Sequence, residues 1–167
     1  MLAGDPVTAE DELRRDYAAL EQMGEKYYLS TTAGYLAATL LQQGRDDEAD
    51  EFTAIGERLA APNDISSQSL WRTVRGRVLA RRGLFEEGET LVRDALELIG
   101  QAEDPDSHAT VWADLAEVLI AAGRRDDARA ALENAASIFE AKGNVVSAAK
   151  TRERLSAISD EGSSAGA

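Results

Sequence analysis

Apolar residues recur along this chain at helical spacing, in runs that stop at a glycine or at a proline-containing loop. Asp5-Pro6 starts a first helix, the acid as N-cap and the proline at the first helical position, with Leu13, Tyr17, Leu20 and Met23 as its stripe and Gly24 as its end. Tyr28, Leu36, Ala37, Leu40 and Leu41 suit a second helix that closes at Gly44. A third runs from about Asp46 to Leu59, with Asp46, Asp47 and Glu48 at the positive end of its dipole. After Pro62, a fourth helix covers Ser66 or so to Arg82, and the fifth runs from Phe85 to Ile99. Beyond Pro105 and the expected cap Ser107, a sixth ends at Gly123, with Val111, Leu115, Ala116, Val118 and Leu119 inward. The seventh spans Arg125 to Ala141, with Ala128, Leu132, Ala135 and Phe139 as its stripe. Asn144 caps an eighth to about Ile158, whose apolar residues Val145, Ala148, Ala149, Leu155 and Ile158 oppose a polar face of Lys150, Arg152, Glu153 and Arg154.

These helices fall into a repeat. Gly44-Arg45-Asp46-Asp47-Glu48-Ala49 recurs as Gly83-Leu84-Phe85-Glu86-Glu87-Gly88 and as Gly123-Arg124-Arg125-Asp126-Asp127-Ala128, at spacings of 39 and 40 residues. Aligned on the turn glycine, the first helix of each unit has a small residue at Ala37, Gly76 and Ala116, and the second at Ala49, Gly88 and Ala128. A further small position follows at Gly56, Ala95 and Ala135, and the large apolar position is Leu40, Leu79 and Leu119. Small residues belong where two helices of a hairpin come closest, because extra methylenes there force strain. The fold class is therefore all-α, an α-solenoid of three helical hairpins with an additional helix at each end, about eight helices in one domain over 1–158. Its parts are an N-terminal helix (1–24), hairpins over 25–60, 64–100 and 104–142, a capping helix (144–158) and a disordered tail (159–167).

The third unit, Trp112-Ala113-Asp114-Leu115-Ala116-Glu117-Val118-Leu119, then Gly123, Ala128 and Leu132, resembles the tetratricopeptide pattern W-x2-L-G-x2-Y…A-x3-F. The units depart from it in being longer than the usual 34 residues. They also lack the closing proline, which Ala61, Gly100 and Glu140 replace. Longer units of this kind resemble the tetratricopeptide tails of bacterial, actinobacterial-type signalling proteins, where they follow nucleotide cyclase, ATPase or transcriptional regulator domains. The phrases Trp71 to Gly83 and Glu140 to Val146 are similar to that type of tail, and the unpaired first helix looks like the second half of a preceding repeat.

Composition narrows the chemistry. Aromatics are only 5% of a chain that is 44% hydrophobic, so its core comes from Ala and Leu on closely approaching helices. A net charge of −13 repels nucleic acid and anionic membranes. With no cysteine there is neither a disulfide framework nor a thiolate metal site, and with no export signal or long apolar run the expected compartment is the cytoplasm. No P-loop, dinucleotide fingerprint or Ser/His/Asp set can be assembled, and the single histidine, His108, has no thiol to activate. Asp46-Asp47-Glu48-Ala49-Asp50 lacks the glycine and alternating ligands of a calcium loop. The expectation is a non-enzyme without cofactor or metal.

What remains is an arginine cluster, Arg72, Arg75, Arg77, Arg81 and Arg82, on one helix of an acidic chain. The tetratricopeptide resemblance implies that the first helices line a concave groove, whose positions here are Ala38 and Gln42, then Thr73, Arg77 and Arg81, then Ala113, Glu117 and Ala121. Arg77 and Arg81, four apart, could grip a carboxylate together, or pair with neighbouring acids such as Glu86, Glu87 and Glu117. The function expected is interaction with a protein or peptide segment in that groove. The alternative is a sensor, regulatory or self-association domain of a larger signalling protein, with a homodimer among its outcomes. Arg75 stands where the other units have Leu36 and Leu115, which raises the prospect of a rotated fourth helix.

Overall fold

The computed structural model describes residues 5–164, and the side chains only as far as Ile158. Eight helices follow one another: α1 (Pro6–Met23), α2 (Tyr27–Gln42), α3 (Asp46–Leu59), α4 (Ile65–Arg81), α5 (Phe85–Ile99), α6 (Pro105–Ala121), α7 (Arg125–Lys142) and α8 (Val145–Ser164). The described residues form no strand. Three tight turns make the hairpins α2–α3, α4–α5 and α6–α7. In each a glycine at φ 74°, 82° or 76° (Gly44, Gly83, Gly123) lets the chain reverse. The next amide (Arg45, Leu84, Arg124) then donates back to Leu40, Leu79 or Leu119 at 3.0, 2.9 and 2.9 Å.

Hairpins stack in sequence order. First helices touch one another, α2 with α4 and α4 with α6, while α3 packs on α4 and α5 on α6. Second helices make no comparable contact with each other, so the first helices form the closer-packed inner row. The core sits between the rows. Leu36, Leu40 and Leu41 of α2 meet Val74 and Val78 of α4, and a longer cluster joins Val92, Ile99, Leu115, Leu119, Leu132 and Phe139.

In the middle hairpin the aligned small residues touch backbone to backbone. A Cβ at Gly88 would stand 2.5 Å from the Gly76 carbonyl oxygen, and one at Gly76 would stand 2.6 Å from that of Gly88. Helix α4 therefore keeps the register of the alignment. Arg75 stands at the leucine position without any rotation, crossing to α3 to reach Thr53 at 3.1 Å and Glu57 at 2.6 Å.

Several local expectations change. The cap of α6 is Asp104, which accepts from the Ser107 amide at 3.1 Å, because Pro105 takes the first helical position and fixes the start ahead of Ser107. Tyr28 and Phe85 point outward, 63% and 38% exposed. On α8 the inward side is Ala148, Thr151, Arg154, Leu155 and Ile158, whereas Val145 and Ala149 are exposed. That helix also runs past Ile158 to Ser164, since nothing stops it before Gly162; the last part of the expected tail, 165–167, lies outside the described residues.

Helix α1 is tied to α3 through Glu10, whose side chain is only 10% exposed and meets Arg14 at 2.7 Å and Arg45 at 2.6 Å, with Gln43 donating at 2.8 Å. The hydrogen bonds from Arg14, Gln43 and Arg45 hold its carboxyl down at about 2, against an ordinary 4.5. A depressed carboxyl stabilises the fold above its ordinary pKa, and that contribution is lost as pH falls from 4.5 towards 2. Glu10→Gln is thus expected to lower stability at neutral pH and to flatten its fall over that window by up to about one proton, as read from urea midpoints against pH. Parallel pH curves for the two proteins would contradict it.

Candidate functional site

The inner row is the candidate site, and the arginine cluster is built into it and behind it. Arg72 lies over the Trp71 ring with 4.2 Å to its centroid and donates to the Gln68 carbonyl at 2.8 Å. Arg75 covers the same ring at 5.0 Å, so Trp71 is a buried packing residue, against which Gly56 of the preceding unit fits. Arg81 donates to the Leu41 carbonyl at 2.9 Å and to Asp46 at 2.7 Å, and Arg82 binds Asp47 at 2.8 Å and Asp50 at 2.6 Å. Arg75, Arg81 and Arg82 staple the second unit to the first, while Arg72 stays on its own helix. Neither Glu86 nor Glu87 is among their partners.

Arg77 reaches the other way, to the third unit. Its guanidinium binds Glu117 at 2.6 Å and Asp114 at 3.2 Å, with side chains only 13% exposed at Arg77 and 16% at Asp114. Burial works against the Arg77 charge, yet the two carboxylates outweigh it and raise its pKa. Burial also pushes the Asp114 carboxyl above its ordinary value, with Arg77 opposing. Arg154 of α8 extends the network, 3.3 Å from Glu117.

The two arginines therefore do not converge on one free anion site. Arg77 is occupied from α6 and Arg81 from α2 and α3. Three of the expected groove residues, Ala38, Thr73 and Ala113, are buried at 7%, 2% and 7% exposure, because neighbouring first helices close over them. Gln42 and Arg81 are exposed, and Arg77 and Glu117 half-buried.

Between the C-terminal ends of α4 and α6 lies a cleft of about 230 Å³. Arg77, Ala80 and Arg81 line it from α4, and Glu117, Val118, Ile120 and Ala121 from α6. It brings together Arg77, Arg81, Glu117 and Ala121 of the expected groove. Sequence spacing does not point to Ala80 and Ile120 of its apolar wall, although a signal exists: Leu41, Ala80 and Ile120 hold one repeat position, fully or nearly buried in the first two and 40% exposed in the third. Small-molecule sites begin at roughly 300 Å³, so the cleft suits one apolar side chain.

His108 stands near Trp112, ring centroids 6.5 Å apart, and Trp112 packs half-buried on the core. Among the described residues, no group of three or more His, Asp or Glu is arranged to hold a metal ion, and no helix is long and apolar enough to cross a membrane.

Residues 67–141 match the tetratricopeptide repeat. The matched span runs from the first turn of α4 into α7, and so takes in both helices that wall the cleft. Tetratricopeptide repeats generally mediate protein–protein interaction. Among curated proteins, none matches this chain.

Proposed function

We propose that this protein is a non-enzymatic interaction module that holds a protein segment along its inner row, with an apolar side chain of the partner seated in the α4–α6 cleft. The observation that carries the reading is the cleft itself. Exposed Ile120 and small Ala80 and Ala121 form an apolar recess on the first-helix side of the tetratricopeptide span, beside the guanidinium of Arg81. Arg81, whose Nη1 is taken by Leu41 and Asp46, orients the segment by donating from Nη2 to a carbonyl or carboxylate, and Gln42, at the same repeat position one unit earlier, supplies a second polar contact.

A photo-crosslinking residue placed at Ala121 is expected to capture a partner from source lysate that one at Glu133, exposed on α7, does not capture. Ile120→Asp should abolish that capture while leaving helicity intact. Equal capture from both positions, or capture indifferent to Ile120→Asp, would remove the cleft from the function.

The likeness to tails of bacterial signalling proteins supports a second reading, a regulatory or self-association domain, and the packing of α1 as the second helix of a repeat suits it.

A further inference from the structure

Two neighbouring junctions of the array use the same repeat positions and are closed differently. Where the second unit meets the first, Arg81 donates to the Leu41 carbonyl at 2.9 Å and to Asp46 at 2.7 Å, and Arg82 binds Asp47 at 2.8 Å. Counted from the turn glycines Gly44, Gly83 and Gly123, the positions of Arg81 and Arg82 become Ala121 and Ala122 one unit on. The positions those arginines reach, Leu41, Asp46 and Asp47, become Ala80, Phe85 and Glu86. The third unit therefore has neither of these two staples to the second.

The cleft between α4 and α6 is the space this exchange leaves. Ala80 and Ala121 both line it, at the positions that Leu41 and Arg81 fill one junction earlier. Phe85, 38% exposed, stands beside its mouth in the place of Asp46, and Leu84 next to it is 45% exposed. The corresponding turn residues are charged in the other two units, Arg45-Asp46 and Arg124-Arg125, so the turn bordering the cleft from the second unit is the apolar one of the three. Glu86 is exposed, and its carboxylate has no ion pair among the described residues, whereas Asp47 at the same position has Arg82.

We propose that the segment held here is apolar and cationic: its apolar side chain enters the cleft between Ile120 and Phe85, and an arginine or lysine close to it pairs with Glu86. The partner supplies from outside what Arg81 and Arg82 supply inside the chain one junction earlier. Its apolar side chain takes the place of the Arg81 stem over Ala121, and its cation takes the place of the Arg82 guanidinium. An acid at that point would meet Glu86 and the adjacent Glu87, and a net charge of −13 steers cationic segments towards the chain and acidic ones away. Arg81, already held by Asp46, is left to a main-chain carbonyl of the segment. All of this rests on the cleft receiving an apolar side chain, and adds the charge of its neighbour.

A phage-displayed library of random peptides, selected against the wild-type protein, tests the two claims separately. Enriched peptides are expected to carry Arg or Lys near a large apolar residue, in excess over the unselected library. A fluorescein-labelled copy of one of them should lose binding to Ile120→Asp, lose about tenfold in affinity for Glu86→Arg, and weaken as salt rises. Selection against Glu86→Arg should turn to Asp or Glu near the same apolar residue. Phe85→Asp with Ala121→Arg recreates the Arg81–Asp46 pair at the second junction and fills the cleft, so it should keep its helicity by circular dichroism and bind none of the selected peptides. Peptides indifferent to Ile120→Asp, or a selection that enriches nothing, would overturn the cleft as the binding site and this inference with it. Peptides that need Ile120 but are acidic, or that bind Glu86→Arg as well as wild type, would leave the cleft in place and overturn the pairing with Glu86.

Discussion

Gly88→Val is expected to lower stability by about 3 kcal/mol and the melting temperature by about 6–12 °C. The added atoms have nowhere to go. The first of them meets the Gly76 carbonyl oxygen at 2.5 Å and the Ala80 amide nitrogen at 3.2 Å, both backbone, so α4 and α5 must part to admit it. Parting them opens the packing of Val92, fully buried in the core and itself 2.5 Å from a Cβ placed at Gly76. Gly34→Ala is the informative contrast. Its Cβ would stand equally close, 2.5 Å, but to the tip of the Leu70 side chain, which can turn away, and alanine returns up to about 1 kcal/mol of helix propensity over glycine. Urea unfolding of the two variants decides it: a Gly88→Val protein as stable as wild type would show that the hairpin does not depend on that approach.

The second large effect concerns Arg77. Arg77→Met should cost about 3–5 kcal/mol, because it leaves the enclosed Asp114 carboxylate without its counter-charge. Burial already raises that carboxyl, and Arg77 is the strongest influence holding it ionised. Arg77→Met with Asp114→Leu should recover most of the loss, since removing both members of a buried pair is far cheaper than removing one. Glu117 keeps Arg154 as a partner at 3.3 Å in either protein. A double-mutant cycle by chemical denaturation measures the coupling; additive losses would mean that the pair is not coupled. Charge reversal at Arg77 would for the same reason damage binding through the fold, which is why Ile120 and Ala121 are the positions to probe.

Much of the architecture was legible because its determinants are local. Turn glycines, acidic first turns and caps such as Asp5 and Asn144 act over a few residues, and the recurrence of Ala37, Gly76 and Ala116 against Ala49, Gly88 and Ala128 announced the hairpins. The candidate site was less legible. Arg81 and Asp46 are 35 residues apart, and Arg77 and Glu117 are 40 apart. Pairing at that range depends on which unit a side chain leans towards, and neither composition nor helical spacing carries that direction. Arg81 and Arg82 lean back to the first unit and Arg77 forward to the third, although all three share one helix.

The linear order of residues determined helix count, turn positions and the pairing of small positions, since each follows from propensity and periodicity within one unit. Stacking decided the rest: that Ala38, Thr73 and Ala113 vanish under neighbouring helices while Ile120 and Tyr35 stay in the open. The reason is geometric. Identical repeat positions are covered or bared by the unit beside them, so their exposure belongs to the array and to its ends rather than to any residue.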